Sequence, residues 1–213
     1  DRSSEVKVAA IRALGDLGLD RVGPILAPLT ADKARFVRFE AVKAMANLET
    51  ALAAKTLCKA CLDKDVLIAR TAAEALLRIA DSPASPKIPD DGIAKALDAK
   101  DPEVRGMVVS ILRRRVNRPM KLLVRLALDK SENISRPALD EIYERAGPDD
   151  IADVSKIMKS PNIDVRFAAV QILGELGNPR TGPYLLKLLT DPDKQVRTKA
   201  ASYLQQSANP QVV

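Results

Sequence analysis

The chain has 213 residues, of which 46% are hydrophobic and only 3% aromatic, and its formal net charge is +6. It contains no histidine, which excludes imidazole acid–base catalysis, histidine-bound metals and Ser-His triads within these residues. Alanine and leucine are abundant, and a core of such residues suits close helix–helix packing better than sheets, which favour β-branched and aromatic side chains.

The chain has no hallmark of a membrane protein. No stretch approaches the roughly 20 consecutive apolar residues that cross a bilayer. The first residues, "DRSSEVKVAA", also lack the apolar run of a secretory signal. We therefore expect no membrane insertion and a cytoplasmic location, whereas the oligomeric state is not predicted.

A sequence motif recurs along the chain at intervals of about 31 residues. Each copy opens on an apolar residue and carries further apolar residues four and eight positions later, which places all three on one face of a helix. The opening residues are Val6, Val37, Ile68, Val104, Ile134, Val165 and Val196. A unit of this length holds two helices of roughly 12 residues each and two short turns.

Most copies place an acid in the turn and a base one residue after the opening position. Such residues can pair within or between stacked units, so we interpret them as a structural ladder; a catalytic or binding row of Asp and Arg is the alternative. The ladder residues are Asp32, Arg38, Asp63, Arg105, Arg166, Asp191 and Arg197. In the third and fifth copies, Ala69 and Ser135 replace the base and an arginine follows one residue later, so we expect the ladder to be broken or shifted there.

The pattern Asp-Pro-x-x-x-Val-Arg-x-x-Ala-x-x-x-Leu, with Leu-Gly-x-Pro between the helices, resembles HEAT repeats. It is most similar to the HEAT-like repeats of the phycobilin-lyase type, and "LGELGNPRTGPYLLKLLTDPDKQVRTKAASYL" matches them strongly. The resemblance covers essentially the whole chain. It implies an all-α fold, a right-handed α-α superhelix (HEAT-like solenoid) of about six to seven antiparallel helix pairs, but it carries over no catalytic residue.

We predict a single repeat array over residues 1–213 with a Pro-rich inserted loop at 81–90. Its parts are a half repeat at 1–18 and repeats at about 19–48, 49–80, 90–117, 118–147, 148–177 and 178–207. The first copy has only its second helix, and the final "NPQVV" aligns with the start of another first helix. We therefore expect the array to be a stretch of a longer chain.

Cys58 and Cys61 form the only Cys-x-x-Cys pair. A structural zinc site needs about four ligands, which these residues cannot supply. We interpret them as two small buried side chains on a helix, because a later copy has leucine at both positions; a redox pair is the alternative. We predict no enzyme activity and no cofactor.

The second helices of such an array conventionally line its concave wall, where extended partners bind. Positions two, six and ten after the opening residue differ between copies, as expected of a binding surface. Our hypothesis is a scaffold that binds an acidic protein or peptide segment, with a phenylalanine as the apolar anchor. The proposed contact residues are Phe39, Lys43, Arg70, Arg78, Arg114 and Arg118.

The alternative partner is a nucleic-acid backbone. Between Val104 and Leu128 the sequence has seven bases and no acid. Such a cluster is able to neutralise phosphates. Scarce aromatic residues and a more acidic C-terminal half favour the protein partner.

Overall fold

The structure, a computed structural model, describes residues 2–82, 88–115 and 119–207. These residues form thirteen α-helices and several short 3-10 turns and contain no strand, which confirms the prediction of an all-α repeat fold. The predicted Pro-rich loop falls largely on residues 83–87, outside the described ranges. The chain divides into two compact units, Asp1–Asn117 (unit 1) and Arg118–Val213 (unit 2), and each is described by itself.

Unit 1 contains seven α-helices. They are α1 (Arg2–Asp16), α2 (Gly23–Leu26), α3 (Arg35–Met45), α4 (Ala51–Ala60), α5 (Val66–Asp81), α6 (Asp90–Ala96) and α7 (Pro102–Arg113). The second helices α1, α3, α5 and α7 pack on one another in sequence, and the first helices α2, α4 and α6 form the other layer. The repeat therefore produces two helical layers with the apolar stripe between them.

Unit 2 contains six α-helices. They are α8 (Met120–Ala127), α9 (Glu132–Arg145), α10 (Ile151–Val154), α11 (Ile163–Glu175), α12 (Gly182–Leu188) and α13 (Lys194–Ser207). Here α9, α11 and α13 pack in sequence, while α8 contacts α9 and α12 contacts α13. The division of the chain into numbered repeats stays a prediction.

Short polar side chains begin many of the second helices. The carboxylate of Asp65 accepts hydrogen bonds from the backbone N–H groups of Leu67 and Ile68 at the start of α5. Asp101 and Asn162 do the same for α7 and α11. Because the first backbone donors of a helix have no partner inside it, these caps fix where each helix begins.

Two Leu-Gly pairs end second helices in the left-handed backbone conformation. Gly18, after α1, has φ of 58°, and Gly177, after α11, has φ of 57°. A residue with a Cβ is strained in this backbone conformation, which is why glycine occupies the sharp turn into the next helix.

The predicted apolar stripe is buried in α3, where Val37, Ala41 and Met45 have no exposed surface. The prediction is wrong for the first copy, because Val6 is 69% exposed and Ala10 is also exposed. Helix α1 instead packs against α3 through Ile11 and Gly15, where an added Cβ would lie 2.8 Å from the Ala44 Cβ. The apolar stripe of a second helix is therefore buried only where another helix packs against it.

Candidate protein-interaction surface

The ladder of unit 1 contains a nearly buried ion pair. Arg38 Nε lies 2.7 Å from Asp63 Oδ2, and both side chains are less than 10% exposed. The same guanidinium donates to the backbone oxygen of Asp32 at 3.1 Å. Arg38 therefore ties its own turn to the next one, a contact that orders adjacent repeats.

Unit 2 contains the equivalent pair. Arg166 Nε lies 2.8 Å from Asp191 Oδ2 and donates from Nη1 to the backbone oxygen of Ser160. The hydrogen bonds from Arg166 lower the pKa of the Asp191 carboxyl despite its burial. Arg197, one repeat later, donates to the backbone oxygens of Asp191 and Pro192.

The two irregular copies differ from each other. In the third copy, Arg70 reaches the next turn from the shifted position, with Nε 2.5 Å from Asp101 and Nη1 2.7 Å from Glu103. In the fifth copy, Arg136 is largely exposed, and among the described residues its one ion pair is with Glu132 of its own helix, at 3.6 Å. Arg70, proposed as a partner contact, is thus engaged in internal ion pairs.

The other proposed contact residues do not all lie in one place. Arg114 pairs with Asp81 and donates to the backbone oxygen of Ser110 at 2.9 Å, whereas Arg78 is exposed and lines a groove with Lys43. Arg114 is not among the residues that line this groove. Arg118 lies outside the described residues.

Phe39 and Lys43 form a pair on α3. Phe39 is half-buried, and the Lys43 ammonium lies 5.7 Å from the centroid of its ring. A cation at this distance is attracted by the face of the ring. Lys43 is therefore held over the phenylalanine with its charge at the surface.

An open groove of about 410 Å³ crosses α1, α3 and α5 on this face; we call it the unit 1 groove. It is lined by Arg12, Gly15, Asp16, Glu40, Lys43, Ala44, Ala46, Asn47, Thr71 and Arg78. Arg12 Nη2 lies 2.6 Å from Glu40 Oε1, and this hydrogen bond lowers the pKa of the nearly buried Glu40 carboxyl. With that pair neutralised, Lys43 and Arg78 face the single acid Asp16.

Sequence reasoning missed two exposed apolar residues at the starts of α3 and α5, two of the helices that line this groove. Phe36 is 68% exposed and Leu67 is 51% exposed, and each is the second residue of its helix. They stand one position before the opening residue. Because successive helical residues turn by about 100°, that position lies on the same outward face as positions two, six and ten. Helical periodicity alone could have found them.

The arginine cluster after Val104 is largely used inside the molecule. Arg115 donates to the backbone oxygen of Ile88 at 2.8 Å and pairs with Asp90 at the start of α6. Arg105 donates to the backbone oxygens of Ala99 and Lys100. These bases stabilise turns rather than form an open row of cations.

Cys58 and Cys61 are free and buried. Burial raises the pKa of the Cys58 thiol to about 12 and raises the pKa of Cys61 as well. An added Cβ at Gly92 of α6 would lie 2.8 Å from the Cys58 sulfur, so the Cys58 side chain fills a tight contact between α4 and α6. Thiols that are not ionised near neutral pH are poor nucleophiles, which argues against the redox alternative.

Comparisons with known proteins agree with this helical-repeat architecture. The described residues form an all-α helical-repeat scaffold of the kind that commonly mediates protein binding. The family model described as HEAT repeats matches residues 1–78 and 151–213, and the chain therefore belongs to the HEAT-repeat family. A comparison with curated protein sequences gives no match. None of the described helices is long and apolar enough to cross a membrane.

Several solved structures are similar at low sequence identity. The archaeal HEAT-like repeats protein from Thermococcus onnurineus NA1 is 11% identical, with a TM-score of 0.47 over 96% of this chain and 95% of that chain. An engineered protein is 20% identical, with a TM-score of 0.44 over 97% of this chain and 68% of that chain. A designed armadillo repeat protein is 19% identical, with a TM-score of 0.32 over 95% of this chain and 93% of that chain.

Proposed function

We propose that this segment is a protein-binding scaffold without catalysis, and that its unit 1 groove binds an acidic segment of a partner protein. One observation carries the proposal. Lys43 and Arg78 line the groove without a hydrogen bond or ion pair to any other described residue. Three other arginines on or directly after second helices of unit 1 are each paired with an internal carboxylate: Arg12, Arg70 and Arg114.

Apolar surface on the same face of α3 and α5 supports the same partner. Phe36 and Leu67 are exposed at corresponding positions of adjacent helices, and Phe39 lies below the Lys43 ammonium. Aromatic residues and desolvated cations are frequent sites of high binding energy in protein interfaces. A segment that alternates carboxylates with apolar side chains would satisfy both features at once.

The nucleic-acid alternative has less support. Arg105, Arg114 and Arg115 are engaged by backbone oxygens or carboxylates within unit 1. Phosphate binding would have to compete with those contacts, and with 3% aromatic residues the chain has few rings on which bases could stack.

Selection from a display library of random dodecapeptides tests the proposal. We expect the 213-residue chain to enrich peptides that combine Asp or Glu with apolar residues. The double variant K43E/R78E should bind these peptides with roughly thirtyfold lower affinity, the effect expected from the loss of one residue of high binding energy. Its melting temperature should stay near that of the wild type, because both side chains are exposed.

The matched control is K55E/K59E, which reverses two exposed lysines on α4 beside a different groove. This variant should keep the selected peptides. Enrichment without acidic residues, or equal loss of binding in both double variants, would refute the assignment of the unit 1 groove.

A further inference from the structure

One junction in unit 2 lacks the ion pair that links neighbouring turns elsewhere. Arg38 and Asp63 are 25 residues apart, and so are Arg166 and Asp191. At the same spacing, the junction between α9 and α11 has Ser135 and Ser160. Both the base and the acid of the pair are therefore replaced by short neutral side chains.

Neither serine closes the gap left by the longer residues. Ser135 is only 3% exposed, and its hydroxyl has no hydrogen-bond partner among the described residues. The Ser160 hydroxyl accepts a hydrogen bond from the backbone N–H of Asn162 at 3.2 Å, within its own turn. A buried hydroxyl without a partner costs free energy, so Ser135 is a polar group that a ligand could satisfy.

The gap opens into a groove of about 370 Å³ between α9 and α11, which we call the unit 2 groove. Its lining includes Ser135, Leu139, Asp140, Asp164 and Gln171, together with the exposed ion pair of Arg136 and Glu132 on α9. Asp140 and Asp164 form no ion pair with any described residue. The groove thus combines a buried hydroxyl, an aliphatic wall and two carboxylates free to bind.

The opening is local, because the same helices are tied together one turn further along. The hydroxyl of Tyr143 on α9 donates to Glu175 on α11, and the hydroxyl of Tyr203 on α13 donates to the same carboxylate at 3.2 Å. Glu175 thereby links three second helices beside the groove. The unit 2 groove is therefore a bounded cleft.

We propose that the unit 2 groove binds an arginine side chain of a partner polypeptide, which supplies from outside the cation that this junction lacks. The guanidinium would pair with Asp140 and Asp164 and donate to the Ser135 hydroxyl, while its aliphatic stem packs against Leu139. Arginine fits better than lysine because its planar group has five donors that reach several acceptors at once. The proposal is independent of the unit 1 groove, which offers the opposite charge.

Fluorescence anisotropy with the 213-residue chain tests this site. The probe is a labelled nonapeptide of Gly and Ser with arginine at three alternate positions, and the matched peptide carries citrulline, which has nearly the same shape without the charge. We expect the arginine peptide to bind and the citrulline peptide to bind at least roughly tenfold more weakly. Equal binding of the two peptides would overturn the proposal.

Two sets of variants locate the site. D140N/D164N should lower the affinity for the arginine peptide at least roughly tenfold. E144Q/D149N removes the same charge from exposed positions outside the groove and should leave that affinity unchanged. S135R/S160D restores the ladder pair and should abolish binding by filling the groove. If S135R/S160D does not fold, the first two variants decide, and equal binding by both would contradict the proposal.

Discussion

The α3–α5 junction of unit 1 and the α9–α11 junction of unit 2 have the same helical arrangement and different polar residues. Arg38 and Asp63 close the first junction with a nearly buried ion pair, whereas Ser135 and Ser160 leave the second open. The apolar stripe is retained in both: Val37 and Ile134 are at most 2% exposed. Packing thus maintains the repeat at both junctions, while the polar residues that join the neighbouring turns differ between them.

The two grooves also differ in charge. The unit 1 groove presents Lys43 and Arg78, while the unit 2 groove presents Asp140 and Asp164. Because both are built on second helices, the same type of helix carries two grooves whose unpaired side chains have opposite charge. The contributions of the apolar stripe and of the polar row can be separated by three tests. In order of decreasing expected effect on stability, they are a charge in the stripe, loss of a ladder arginine, and protonation of a ladder carboxylate.

The largest effect should come from a charge placed in the stripe. A41D introduces a carboxylate where no surface is exposed and should reduce the free energy of unfolding by roughly 2–5 kcal/mol, as should A169D in unit 2. The matched control is A10D, at the same repeat position in α1, where the side chain is exposed and the expected change is below about 0.5 kcal/mol. Denaturant unfolding measures all three. Equal effects at Ala10 and Ala41 would show that burial does not govern the stripe.

A second, smaller effect should follow from opening the closed junction. R38A leaves Asp63 buried without its partner and should destabilise by about 3 kcal/mol. R35A removes an exposed partner of Asp65 on the same helix and should cost less than about 1 kcal/mol. Thermal and denaturant unfolding compare the two. A cost for R35A as large as that for R38A would contradict a structural role specific to the ladder.

The ion pair of Asp191 should make the stability of the protein depend on pH in the acidic range. Its folded-state pKa lies below the ordinary value near 3.9 because Arg166 donates to the carboxylate. The stabilisation is therefore complete above that value and is lost as the pH falls below it. Between pH 5 and pH 3 the melting temperature of the wild type should fall further than that of D191N, whereas D149N, at a fully exposed position, should follow the wild type. Parallel curves for wild type and D191N would contradict the prediction.

The sequence predicts much of the fold because the same spacing of apolar residues recurs in several copies of the repeat. The stripe positions of α3, α5 and α11 are read directly from spacing, and Val37, Ile68 and Val165 are indeed buried. The sequence does not predict the exposure of Val6. Burial depends on whether a neighbouring helix covers that face, and the spacing of apolar residues does not show this.

The candidate surfaces are predicted less well, because charge pairing depends on the reach of long side chains. Arg70, Arg78 and Arg114 look alike in the sequence, yet Arg70 and Arg114 meet internal carboxylates and Arg78 does not. The unit 2 groove lies where the repeat has Ser135 in place of a base. The missing base is visible in the repeat, but the resulting cleft requires the packing distance between α9 and α11.

Chemical-shift mapping of the labelled chain with a peptide selected for acidic residues tests the central claim most directly. The account predicts that the backbone amides perturbed by the peptide cluster on α3 and α5 around Lys43, Asn47 and Arg78, and that K43E/R78E abolishes those perturbations. Shifts centred instead on α4 around Lys55 and Lys59, or unchanged in K43E/R78E, would contradict the assignment of the partner-binding surface to the second helices of unit 1.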